Sequence, residues 1–474
     1  MKKRDYSEIT PGINKLSEHI CENSVIDPSL YSKHKVNRGL RDLNGKGVLT
    51  GLTEISEVSS RKIVDGQEVL CDGELFYRGY NVVDLVSDFI KNDRFGFEET
   101  IYILLFGDLP TAQELEEFKR LLFDYRSLPN SFIRDVIMKA PSSDMMNSLA
   151  RSVLTLYSYD NNPDDTSIAN VLRQCLQLIA LFPQLAVYGY RAYDYYQKES
   201  NSFFIHVPKP EYSTAQNILY MLRDDGRFSD LEARILDIAL VLHAEHGGGN
   251  NSSFATRVLT SSGTDTYSAI AAGIGSLKGP RHGGANIKVS NMLDDIRENA
   301  GDITKDENVE KYLIKIINRE AFDKSGLIYG MGHAVYTLSD PRAVILKEEA
   351  RKFAEKCGRT EEFNLIDAVE RLTPKVFREH KGINKPLCAN VDLYSGFIYK
   401  MLDIPQDLYT PLFAVARVAG WSAHRIEELT TGNRIIRPAY KSVAAPRNYV
   451  ELSQRSAAPI VENDYVPVSE RIKK

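Results

Sequence analysis

The sequence predicts a mainly α-helical fold of two lobes, on three observations. Segment 229–246 combines a capping box at Ser229 and Glu232 with one apolar face, Leu231, Ile235, Ile238, Ala239 and Leu242, and stops at Gly247 to Gly249. Strand-like alternation is confined to 52–64 and 68–78. The length of 474 residues exceeds what a single hydrophobic core usually holds.

The elements follow in chain order. The first residues, MKKRDYSEITPG, have no apolar stretch after their positive charges, so no leader is expected. Thr111 and Glu114 box a helix over 111–124, and the helix of 229–246 places His246 in its last turn. Segment 265–278 packs Ala269, Ala271, Ala272, Gly273 and Gly275 into a helix that another can approach closely. Further helices are expected near 285–299, 341–356, 364–372 and 408–429. The proline-rich tail from Arg437 lacks a helical stripe and is expected to run extended over a surface, a partner's included.

Composition narrows the function. A net charge of −5 with 43% hydrophobic and 26% charged residues gives no basic footprint, so neither nucleic acid nor an anionic membrane is expected as a partner. The most apolar region, 176–190, is interrupted by Gln177, Pro183, Gln184 and Tyr188. Five scattered cysteines form no CxxC pair, which fits free thiols in a reducing compartment and a cytoplasmic protein.

Only nine histidines occur, yet three lie beside glycines in short segments: HAEHGGGN at 243–250, GPRHGGAN at 279–286 and YGMGHAVYTLSDPRA at 329–343. ANVDLYSG at 389–396 closes the series with an aspartate. His282 sits on a turn with room for a ligand, or is a loop histidine with no task. Gly273, Gly275 and Gly279 space as GxGxxxG and follow no strand, which argues against a dinucleotide site. Asp340 can cap a helix that begins at Pro341, putting Arg342 in its first turn, as an anion clamp or a solvated arginine. Arg417 shares a stripe with Phe413 and Trp421, so it is expected to be buried against an internal acid or a substrate carboxylate. HAEH is not HExxH and no Cys/His cluster accompanies it, so no metal is expected at His243 and His246. Asp392 alone reads as a helix-start acid.

In combination, GPxHGxAN, GxGHAVxxxxDPR and NVDxxSG resemble the citrate synthase family, in a longer bacterial branch. The likeness runs from GLTEISEV at 51–58 and LFYRGYNVVDL at 75–85, through FEETIYILLFGDLPTAQEL at 97–115, to IIRP at 435–438. It implies a citrate-synthase-like fold: a large helical domain (46–278 and 393–474), a smaller mobile helical domain (279–392) and an N-terminal extension (1–45). It implies that His282 stabilises the enol of acetyl-CoA, His333 polarises the oxaloacetate carbonyl and Asp392 removes the methyl proton. His246, Arg342, Arg417 and Arg437 are the implied oxaloacetate ligands, Arg437 reaching the partner's site in a homodimer. Gly330 and Gly332 are expected to let CoA approach the backbone, and no permanently bound cofactor is implied. 2-Methylcitrate synthesis from propionyl-CoA on the same residues is the neighbouring alternative, and a citryl-CoA lyase a further one. The chain departs from the pattern at Thr337, where some members carry an arginine that contacts CoA phosphate. It departs again at GGGNNSSF after His246, which is richer in glycine than the short bacterial pattern.

Overall fold

The computed structural model describes residues 7, 9–23, 25–42, 46–198, 202–432, 434–444 and 448–455. It separates into two compact units, one of residues 1–51 with 437–474 and one of residues 52–436. The first unit contains α1 (Pro11–Asn23) and the short α2 (Ser29–Lys33). Ile13, Leu16 and Ile20 lie on one side of α1 and are exposed. Residues 437–444 hold no helix or strand, and 448–455 only a 3-10 turn at Leu452–Gln454. The rest of the expected extended tail, 445–447 and 456–474, lies outside the described residues.

The second unit begins with a hairpin of β1 (Ser56–Val64) and β2 (Gln67–Tyr77), to which β3 (Tyr80–Asn81) adds at the far edge. Val64 faces Gln67 across an Asp65–Gly66 turn with both φ values positive, the backbone a two-residue hairpin loop requires. The helices that follow are α3 (Val82–Lys91), α4 (Phe97–Phe106), α5 (Ala112–Asp124), α6 (Met145–Leu156), α7 (Ile168–Gln197) and α8 (Thr214–Leu222). Then come α9 (Asp230–His243), α10 (Asn251–Ser261), α11 (Thr266–Lys278), α12 (Ala285–Asn299) and α13 (Asp306–Ile317). The last four are α14 (Pro341–Lys356), α15 (Thr360–Lys381), α16 (Asp392–Met401) and α17 (Tyr409–Thr431).

The core is organised on α17, whose residues from Tyr409 to Arg425 are all buried, against α4, α7, α9, α10 and α11. α7 is long and apolar enough to cross a membrane, but 83% of its most apolar window is buried in protein. The small residues of α11 divide between two faces. Gly273 meets Trp421 and Thr256, where an added Cβ would sit 3.0 Å and 2.8 Å from their side chains, so α10, α11 and α17 touch at that point. Ser268, Ala271 and Ala272 on the other face are half-buried, and only Gly275 there is exposed. A second apolar cluster, with Met292, Ile296, Val309, Leu313, Val369 and Val376, binds α12, α13 and α15 together within 279–392.

Two helices differ from the sequence expectation. α9 ends at His243, so His246 stands three residues beyond the helix. The Tyr77 hydroxyl lies 3.0 Å from the Val241 carbonyl and 3.2 Å from that of Glu245, taking the place of the next helical bond and turning the chain inward. α15 outruns the expected 364–372 and continues through Pro374. Leu372, Thr373 and Val376 are buried on both sides of that proline, and packing outweighs the one backbone bond it removes.

Candidate active site

The site is built around Arg417, fully buried in the middle of α17. Its Nε donates to the His243 carbonyl at 2.7 Å and its guanidinium lies 4.7 Å from the Phe413 ring, while Nη1 and Nη2 meet no protein acceptor. Burial lowers its pKa to about 10, against the pull of Glu245, so it remains charged. A charged guanidinium with two open nitrogens away from water calls for an anion.

Glu245 does not fill that role directly. Its Oε1 bonds His424 Nε2 at 2.9 Å and the Ser56 hydroxyl at 3.0 Å. Burial works against its charge, and His424, Arg417 and Ser56 outweigh it to hold the carboxyl at about 2. Arg257 donates to the other nitrogen of His424 at 2.8 Å, which fixes the His424 proton on Nε2, facing Glu245. Gly420 makes this arrangement possible, because a Cβ there would lie 2.1 Å from Glu245 Oε2 and 2.6 Å from the Ala244 carbonyl.

The sequence-predicted histidines gather at this point. The His246 and His333 rings are 5.1 Å apart, and Tyr336 stacks on His333 at 4.6 Å. His333 Nδ1 accepts backbone N–H groups of Val335 and Tyr336 at 3.0 and 2.9 Å, so its proton is on Nε2. Burial and then Arg342 lower its pKa to about 4, which leaves it a neutral donor at pH 7. Arg342 Nη2 stands 3.5 Å from that Nε2. Two hydrogen-bearing nitrogens at that separation can share one oxygen.

Arg342 itself is gripped by Asp340 through Nε at 3.0 Å and Nη2 at 2.7 Å, while Asp340 caps α14 through the Arg342 N–H. The solvated reading of Arg342 is overturned: the side chain is buried and paired with the aspartate that caps its own helix. His282 Nε2 lies 3.1 Å from the Ser252 hydroxyl, and burial followed by Arg417 lowers its pKa to about 4. His246 is held neutral by burial and by Arg342, and its Nε2 has no protein partner. His243 is committed elsewhere, donating Nδ1–H to the Ala239 carbonyl at 2.7 Å. Among the described residues no group of His, Cys, Asp and Glu could hold a metal.

Asp392 opens α16. Its carboxyl is raised to about 6 by burial, against Arg342 and Arg417, with Asp340 adding to the rise. Asn390 ties it to the His333 loop: its N–H and Nδ2 donate to the carbonyls of Gly330 and Gly332, both at 2.9 Å, and its Oδ1 accepts the Asp392 N–H at 3.0 Å. Gly330 and Gly332 have φ of +84° and +91°, and a Cβ on Gly330 would strike Leu393 at 2.8 Å. His246, His282, His333, Arg342, Arg417 and Asp392 are therefore neighbours within one unit. Arg437 is exposed and belongs to the other unit. The sequence reading does not name Ser252, Asn390 or His424, each of which orients a named residue. Ser252 and Asn390 sit inside the segments NNSSF and ANVD, and position within them is the only signal that points to them.

Comparison with known proteins places this geometry. A family model described as citrate synthase, C-terminal domain, matches residues 42–439. A citrate synthase of Synechocystis sp. is 35% identical over 412 residues, 85% of this chain and 93% of the relative. A 2-methylcitrate synthase of Shewanella oneidensis is 31% identical over 390 residues, 81% of this chain and 91% of the relative. The solved citrate synthase of Thermotoga maritima superposes with a TM-score of 0.69 at 30% identity, covering 89% of this chain and all of that one. A citrate synthase of Thermoplasma acidophilum, solved as a ternary complex with carboxymethyl coenzyme A and oxaloacetate, gives 0.70 at 28% identity, covering 89% and 99%.

Replacing Gly420→Ala drives a methyl group into Glu245 and is expected to lower stability by about 1–3 kcal/mol, read as an earlier denaturant midpoint. An unchanged midpoint would show that Glu245 is free to move aside.

Proposed function

The chain belongs to the citrate synthase family, and we infer that the cavity around Arg417 condenses acetyl-CoA with oxaloacetate and hydrolyses citryl-CoA to citrate and CoA. What carries the reading is the pair of open donors on Arg417, Nη1 and Nη2, together with His333 Nε2–H and the second N–H of Arg342 Nη2, whose first is held by Asp340, at a place that Asp392 also borders. Such donors suit a substrate with two carboxylates and a ketone. His246, Arg342 and Arg417 bind oxaloacetate, and His333 Nε2–H polarises its carbonyl.

Asp392 takes a proton from the acetyl methyl group: a C–H bond breaks, an O–H bond forms on the carboxylate, and the electron pair moves onto the thioester oxygen. The thioester carbon acid is weaker than the carboxylic acid by on the order of 15 pKa units, about 20 kcal/mol. A carboxylate alone does not cover that gap, so a donor at the enolate oxygen is required. His282 supplies it, and Ser252 sets which nitrogen carries the proton. Trp421 Nε1 donates to the Ser252 hydroxyl at 3.1 Å and Asn250 Oδ1 lies 2.9 Å away. With that hydroxyl turned to Asn250, it takes up His282 Nε2–H and leaves the ring no proton for the enolate oxygen. Turned to His282, it leaves Nδ1–H as the donor. The nucleophilic carbon then attacks the ketone held by His333, and water cleaves the resulting thioester.

The same reading extends beyond one chain. We take the active form as a homodimer in which Arg437 completes the partner's oxaloacetate site, and the small residues Ser268, Ala271, Ala272 and Gly275 on one side of α11, none of them fully buried, support close approach of a second helix. Gly330 and Gly332 leave backbone room for CoA, which acts as co-substrate rather than a resident cofactor. With Thr337 in place of an arginine, CoA phosphate recognition falls to other cations. Five unpaired cysteines favour a reducing, cytoplasmic setting.

Three experiments test these assignments. Asp392→Asn should lower kcat by about 10²–10⁴ in a thiol-release assay, and the parent's activity should fall as pH drops through about 6, where the carboxylate takes up its proton. Full activity in the variant removes Asp392 as base. Mixing two inactive variants, Asp392→Asn and Arg437→Ala, should restore part of the activity, because one site in each mixed dimer is intact. No restoration argues against Arg437 acting in trans. Side by side, kcat/KM should favour acetyl-CoA over propionyl-CoA, although one methylene is worth only about 1–3 kcal/mol, and the reverse preference would make the chain a 2-methylcitrate synthase.

A further inference from the structure

Behind Asp392, between α12 and α16, four buried polar atoms have no protein partner: Asn286 Oδ1 and Nδ2, Ser395 Oγ and Tyr399 Oη. The three side chains are each fully buried. Ser395 and Tyr399 lie three and seven residues beyond Asp392 in one helix, which puts all three on one face, and a tyrosine in a helix leans back toward its N-terminus. Asn286, in the first turn of α12, comes against the same helix. The two backbones meet at Gly396, where a Cβ would lie 3.1 Å from the Asn286 carbonyl and 3.8 Å from the Tyr409 ring. Tyr409 in turn packs on Tyr399 with ring centroids 5.2 Å apart. Asn286 belongs to the GPxHGxAN segment, but no step of the condensation uses it.

An amide and two hydroxyls offer four donor hydrogens and three acceptor oxygens in a dry setting, and polar groups so placed are ordinarily satisfied by ordered water. The Asp392 carboxylate, at the head of the same row, is influenced by Arg342 and Asp340 at the start of α14 and Arg417 of α17, with no hydrogen-bond donor to its oxygens among the described residues. We propose that Asn286, Ser395 and Tyr399 hold a water molecule behind Asp392, and that this water donates a hydrogen bond to the Asp392 carboxylate. The three are positioning residues: they touch neither substrate, and they act by steadying the ionised base and aiming its other oxygen at the methyl group. The inference rests on Asp392 being the base.

The test is the pH profile of Tyr399→Phe, with Ser395→Ala as a second variant should the first not fold. Removing a hydrogen bond that favours the carboxylate should move the acid limb of kcat upward by about one pH unit, leaving the high-pH plateau and the KM for oxaloacetate near the parent's values. A lost hydroxyl with a purely structural role lowers the plateau or the stability and leaves the limb in place, which overturns the proposal. A crystal structure of the parent should show a water within hydrogen-bond distance of Asp392 and at least two of the three side chains. Absence of ordered solvent there also overturns it. Asp392→Asn keeps the two ideas apart: if that variant is inactive while the limb of Tyr399→Phe does not move, the base stands and only the water falls.

Discussion

A guanidinium sealed in the protein interior with four of its five N–H donors unmet is the constraint on which the remainder of the site depends. Burial works against the charge of Arg417, and Glu245, near without touching it, helps to keep the guanidinium ionised. Burial first, then the charge of Arg342 beside His333 and His246 and that of Arg417 beside His282, keeps the surrounding imidazoles neutral, and neutrality is what allows each to donate a single, directed proton. Glu245 can come near because residue 420 has no side chain, and Ser56 on β1 reaches the same carboxylate, so the hairpin is joined to the helical core at the chemistry itself.

Much of the architecture was legible because several helices carry their caps in the local sequence. The capping boxes at Thr111 and Ser229 are formed as the residues suggest, and Pro341 follows its aspartate cap. α7 was not legible as a helix: a segment buried from every side has no polar face to set a period. α4 hides its start differently. Its first N–H groups are received by Asp237 of α9, at 2.6 Å from Gly96, a cap that comes from 141 positions away and leaves no local signature.

The candidate site divides the same way. Residues that meet substrate chemistry stand in glycine-bordered segments and were readable from type and spacing, because open backbone near a histidine or aspartate has few structural uses. Residues that orient them act through bonds long in sequence: Ser252 to His282 spans 30 positions, His424 to Glu245 spans 179, and Asn390 to Gly332 spans 58. Nothing local distinguishes such a serine or asparagine from one facing solvent. The position of His246 also depended on a distant group, since the Tyr77 hydroxyl, 164 residues before Val241 in the chain, ends α9 where periodicity would have carried it on.

The three hydrogen bonds of Asn390 have a mechanical meaning. Together with the Gly332 N–H to Cys388 carbonyl bond at 2.7 Å, they lace the loop bearing His333 to the loop bearing Asp392 along both strands of the seam. The group that draws electrons from one substrate and the group that takes a proton from the other are thus mounted on a single rigid bracket. Their spacing is set by bonds within the chain itself, like the jaw width of a fixed wrench. His282 hangs from a different fixture, with the adjoining Gly283 carbonyl held by Thr410 of α17 at 3.1 Å. A chain made this way has two independent tools rather than three, and only one relative displacement to control.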